Sequence, residues 1–120
     1  MKMYLILAVL VALSVSSIAE ARVKVMGRGA KMTFSPEGIP EVHKPAFDLM
    51  LQKCIKCHTM ERTVIAVQTG RAPITGQPFN KQAVKAYGIK MLRKPNSDMS
   101  KKEIRDIVVL LNYLLDENTK

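Results

Sequence analysis

The sequence predicts a small all-α domain, and three observations predict it. Apolar residues recur at helical spacing from Ala46 to Cys54 and again from Ile104 to Leu115. Ser100 followed by Glu103 is a capping-box signature at the head of the second run. No strand-length run of alternating apolar and polar residues appears, and no internal repeat.

Composition bounds the rest. A chain of 120 residues is one domain at most. With 24% charged residues and a mean hydropathy of +0.03, it is neither a polytopic membrane protein nor wholly disordered. Lys and Arg number 19 against 10 Asp and Glu, a net charge of +9. Nucleic acid would suit that charge, but no nucleic-acid module is visible and none is expected as a partner. Cys54 and Cys57 are so close in sequence that a disulfide between them would not staple a fold.

Residues 1–21 carry one Lys, a continuous apolar run from Tyr4 to Leu13, and Ala19-Glu20-Ala21. The run is too short for a bilayer, and the small-x-small end fits a signal peptidase site. A cleaved secretory signal is expected, with periplasmic export and no stable membrane span afterwards. The alternative is an uncleaved anchor that recruits Ser14 to Ile18. Residues 22–44 hold three Gly and two Pro in a basic stretch without a sustained period, which reads as an irregular arm, either disordered or packed on the globule.

The domain proper is expected over 45–120. Pro45 suits a first helical turn, and Ala46, Phe47, Met50, Leu51 and Cys54 predict a helix over about 45–56. Met60, Thr63, Val64 and Val67 give a weaker helical rhythm over 59–68, which the segment 69–78 breaks. Asn80 is a suitable cap for a third helix whose Ala83, Val84, Tyr87 and Met91 share a face and which ends before Lys94-Pro95. The last helix follows Ser100, with Ile104, Ile107, Val108, Leu111, Leu114 and Leu115 as its apolar stripe through Asp116. Only five aromatic residues remain after the leader, so a large apolar cofactor would help this thin core to close.

The chemistry lies in Cys54-Ile55-Lys56-Cys57-His58, a CxxCH pentad. Thiols three residues apart on a helical turn point to one side and can add to the two vinyl groups of haem as thioethers. His58 is then carried beneath the ring, where its Nε2 can ligate iron. A thioredoxin-type redox pair would want a neighbouring strand. A zinc site wants four ligands, and only His43 remains to add among the strong donors. One covalent haem c behind an export signal is the expected cofactor.

Here the chain resembles a small class I c-type cytochrome. Its Cys54, Cys57 and His58 end an N-terminal helix, Met91 follows downstream, Asp98-Met99-Ser100-Lys101-Lys102-Glu103-Ile104 stands where such proteins have Leu-Ser-x-x-Glu-Ile, and Tyr113-Leu114 lies near the end. A narrower similarity is to short monohaem domains, through His58-Thr59-Met60-Glu61-Arg62 and a helix ending in Met91. The resemblance implies N- and C-terminal helices that cross beside the haem, with Ala46 and Met50 against Leu110 and Tyr113. The chain departs from that family in the short interval between His58 and Met91, the absent tryptophan and the added arm 22–44.

His58 fills one axial position. Among the remaining His and Met residues, Met91 ends a helix where the chain must turn, and the resemblance favours it for the other. Met99 and His43 are alternatives, an open position a third, and Met50, Met60, Met26 and Met32 are read as packing. Arg62 is a candidate partner for a haem propionate; a surface ion pair to Glu61 or Asp48 is equally open. Lysines and arginines near the site read either as a field steering acidic redox partners or as a solvated surface. The implied function is single-electron transfer with no catalysis of its own. A fixed haem subunit of a larger oxidoreductase and a five-coordinate gas sensor are the alternatives.

Overall fold

The computed structural model describes residues 23–120. The leader expected over 1–21, together with Arg22, lies outside the described residues. The described chain is mostly helical: a two-stranded hairpin, β1 (Val25–Met26) and β2 (Thr33–Phe34), precedes four α-helices, α1 (Lys44–Lys53), α2 (Glu61–Thr69), α3 (Lys81–Arg93) and α4 (Lys101–Asn118). No described helix is long and apolar enough to cross a membrane.

The arm is ordered. Val25 pairs with Phe34 and Met26 with Thr33, antiparallel, and Ser35 N donates to the Lys24 carbonyl at 2.9 Å. The turn needs glycine at position 27, where φ is +77° and a Cβ would lie 2.3 Å from the Lys31 carbonyl oxygen. Val23, Phe34 and Ile39 are buried in the same core as the helices, Phe34 completely. The arm packs on the helices through these residues and is irregular outside its two short strands and 3-10 turns. Two-residue strands are too short to show alternation, and short 3-10 turns at Gly29–Lys31, Pro36–Gly38 and Glu41–His43 supply the rest.

α4 is the central element and touches each of the other three helices. Its capping box forms as the spacing requires: Glu103 N donates to Ser100 Oγ at 3.1 Å, and Ser100 N donates to Glu103 Oε2 at 2.7 Å. Ile104, Ile107, Leu110, Leu111 and Leu114 are buried along it. α1 buries Ala46, Phe47 and Met50. It stops at Lys53, three residues before the expected end, and Cys54–Lys56 tightens into a 3-10 turn. Ile55, Lys56 and Cys57 are exposed, so no buried face holds that last turn in α geometry.

α2 buries Val64, Ala66 and Val67 and ends at Gly70, whose left-handed φ of +69° lets its N–H reach the Ala66 carbonyl. The segment that breaks the helical pattern folds back on itself, with Ala72 N donating to Gln77 O at 2.9 Å and Phe79 N to Gly70 O at 2.8 Å. Asn80 caps α3 by accepting from Ala83 N at 2.9 Å. α3 ends at Arg93, where Lys94 is extended ahead of Pro95. Gly88 lies against α4 so closely that a Cβ there would meet Val108 and Ile104 methyls at 3.0 and 3.1 Å.

Candidate functional site

The helices do not close on one another everywhere. A concavity of about 510 Å³ opens between the end of α1, the fold-back segment, α3 and α4. That lies within the roughly 300–1,000 Å³ of ligand pockets. Met50, Ala66, Phe79, Val84, Ile107 and Leu111 give it apolar walls. Phe79 and Tyr87 face it as a tilted aromatic pair 5.8 Å apart.

Cys54, Cys57 and His58 all line this concavity. The tight turn after α1 carries Cys54, and the unwound residues behind it carry Cys57 and His58. His58 Nδ1 is 2.9 Å from the Thr59 carbonyl oxygen. A carbonyl only accepts, so Nδ1 carries the ring proton and Nε2 keeps its lone pair free for a metal.

Burial, with a smaller contribution from Cys57, pushes the Cys54 thiol up to about 11. It therefore stays protonated at neutral pH. Redox dithiols need the opposite, a thiolate stabilised by cations or a helix N-terminus. Zinc fares no better, since no three His, Cys, Asp or Glu side chains gather as a metal-holding group among the described residues.

Met91 and Met99 also line the concavity. Met91 lies in the last turn of α3, and Met99 directly precedes the cap of α4. Met99 packs against the core cluster, whereas Met91 does not join it. His43 does not line the concavity; it ends a 3-10 turn and stacks 4.9 Å from Tyr113. Met50 and Met60 are buried, at 1% and 4% exposure, and Met50 reaches the wall. Met26 and Met32 sit in the hairpin region, away from it.

Five basic side chains line the concavity, Lys53, Lys56, Arg62, Lys90 and Lys94, and no acidic one does. Lys53 and Lys56 are engaged by Asp98 and Glu103. Arg62, Lys90 and Lys94 form no ion pair among the described residues, so Arg62 pairs with neither Glu61 nor Asp48; Lys90 Nζ lies 5.8 Å from the Tyr87 ring centre. The charges near the CxxCH segment are visible in sequence. That Lys90 and Lys94 line the same concavity as Arg62 is not, because it depends on how α3 lies across it.

Two groups escaped the sequence reading. The fold-back segment supplies Ala72, Pro73, Ile74 and Thr75 to the wall, although its composition signals only a break. The Lys53, Lys56, Asp98 and Glu103 cluster joins residues up to 50 positions apart. Their sole sequence hint is that Asn and Asp tolerate left-handed backbone, which Asn96 and Asp98 adopt at φ +64° and +52°.

No protein-family model matches the chain, and neither a curated protein nor a solved structure is similar to it at a significant level.

Proposed function

We propose that this protein is an exported monohaem c-type cytochrome with a small class I-like fold, which carries single electrons between redox partners. The observation that carries the reading is that one apolar concavity collects both cysteines of the CxxCH segment, a histidine with Nε2 free, two thioethers and three cations without acidic partners. Each class of group has a use there. The thiols suit addition of S–H across a vinyl double bond, which forms a C–S bond, places the hydrogen on the neighbouring carbon and leaves no electron to account for. Cys54, protonated and half-buried, is kept from competing thiolate chemistry. His58 is held by Thr59 in the tautomer that ligates.

When bound, the haem supplies the one-electron ferric/ferrous couple. The chain does everything else. Met91 is the favoured second ligand, since it faces the concavity without being used in the core; Met99 is the alternative. Two strong ligands leave no position for substrate, which favours outer-sphere transfer. Arg62, Lys90 and Lys94 are placed to neutralise carboxylates at the rim. The apolar walls exclude water. Ile74, which lines the concavity and is 68% exposed, leaves an apolar margin by which a partner with acidic flanks can approach.

A freely moving carrier is favoured over a fixed subunit because the arm, the obvious docking element of a subunit, spends Phe34 and Ile39 on the domain's own core. Absorption spectra and intact mass of the protein exported by a host with haem-attachment machinery test the reading. A red protein heavier than its polypeptide by one haem, with the weak near-infrared sulfur-to-iron band in the ferric state, is expected. A colourless protein of polypeptide mass overturns it.

A further inference from the structure

Two methionines line one concavity, yet a haem has room for one of them. We infer that an ion-pair clamp, Lys53 with Asp98 and Glu103, holds Met99 in the wall and leaves Met91 as the thioether presented to iron. The inference rests on the haem reading above and assigns Lys53 and Asp98 as positioning residues.

Lys53 immediately precedes Cys54, so whatever it grips is fixed relative to the attachment segment. Its Nζ lies 3.1 and 3.2 Å from the two Glu103 carboxylate oxygens and 3.8 Å from Asp98 Oδ2, and it donates to the Asp98 carbonyl. Lys56 adds a contact of 3.3 Å to the same Asp98 oxygen. The Lys53 side chain is only 18% exposed, so water and salt screen its contacts less than those of the surface pairs.

Met99 is therefore pinned on both sides. Asp98 before it is tied to Lys53 and Lys56, and Ser100 after it is locked in the capping box with Glu103, which Lys53 also grips. Asn96 and Asp98 hold left-handed backbone, a conformation that persists when surrounding contacts impose it. The Met99 side chain packs on the core, and Met91, in the last turn of α3, does not. Loosening the clamp frees the segment 95–99 to move and Met99 to reach for iron.

The test uses the exported protein in four forms, read by the ferric near-infrared band and by carbon monoxide binding to the ferrous form. Wild type shows the band. Met91→Ala loses it and binds carbon monoxide rapidly, because the intact clamp keeps Met99 back. Met91→Ala combined with Lys53→Gln and Asp98→Asn regains the band and slows carbon monoxide binding at least tenfold relative to Met91→Ala. Adding Met99→Ala abolishes both recoveries. A band that survives in Met91→Ala, or that stays absent after the clamp is removed, overturns the inference while the haem reading stands. Wild type without covalent haem overturns both.

Asp98→Asn alone, at a side chain 73% exposed, guards against misfolding as the explanation. Amide hydrogen exchange at 96–99 is expected to quicken at least fivefold in it, with α1 and the middle of α4 unchanged. Unchanged exchange at 96–99 both in it and in Lys53→Gln, which removes every clamp contact of Lys53, overturns the clamp.

Discussion

The two ends of the helical layer solve the same problem differently. On the hairpin side, apolar surface is covered by the chain's own residues: Phe34 is fully buried, with Val23 and Ile39 at 6% and 5% exposure beside it. On the CxxCH side the same helices leave about 510 Å³ open, with the exposed Ile74 in its lining. A small domain with so few aromatic residues gains from burying every one it can. Leaving one side open costs stability unless something fills it. The hairpin thus finishes the half of the core that a cofactor would not reach.

If that division is right, the two sides fail independently. The largest effect is expected on the open side. Cys54→Ser with Cys57→Ser removes both thiols and is expected to abolish covalently bound haem altogether, read as loss of haem staining on a denaturing gel. On the finished side, Phe34→Ala is expected to cost about 3–5 kcal/mol by urea unfolding. The visible spectrum of its folded fraction is expected to match wild type, since Phe34 does not line the concavity. A changed spectrum would mean that the hairpin and the site are one unit.

Gly88 belongs to the open side, on α3 against Val108 and Ile104, which line the concavity. Alanine there gains roughly 1 kcal/mol of helix propensity, but its Cβ would press on Val108 and Ile104 at 3.0 and 3.1 Å. Both neighbours are β-branched and stiff at χ1, so their methyls cannot swing aside. Overpacking at about 1–3 kcal/mol outweighs the gain, and Gly88→Ala is expected to lower stability by about 1 kcal/mol net in the same urea assay. Because α3 carries Met91, the near-infrared band is expected to shift in this variant and not in Phe34→Ala.

What was legible in the sequence divides along a similar line. Local signals translated directly: Ser100 with Glu103, Asn80 ahead of α3, and Lys94-Pro95 behind it are all caps or stops whose physics involves neighbours within four residues. So did the helical face that buries Met50, and the clustering of Cys54, Cys57 and His58 is built into their spacing. The burial of Phe34 was not legible, because strands of two residues carry no alternation. Nor was the early end of α1, which depends on Ile55 and Lys56 finding nothing to pack on. The convergence of Met91, Met99, Lys90 and Arg62 on one concavity depends on how α3 lies across α4, where Gly88, with no side chain to signal it, allows the close approach.

The smallest expected effects concern the α4 cap, and they separate a hydrogen bond from a charge. Ser100→Ala removes the cap acceptor and is expected to cost about 1 kcal/mol at any pH. Glu103→Gln keeps the cap, since Gln can still accept from Ser100 N, and removes only the charge that faces Lys53. Ser100 N first, and Lys53 after it, hold the Glu103 carboxyl below the ordinary carboxylate range. Its folded-state value is therefore depressed, so its contribution is complete above the unfolded value of about 4.3 and fades as pH falls through the lower folded one. The urea midpoint of wild type is expected to exceed that of Glu103→Gln at pH 7 and to converge on it below about pH 4. A gap of constant size down to pH 3 would show that the glutamate acts at this helix start through shape alone, and that Lys53 is held there by Asp98.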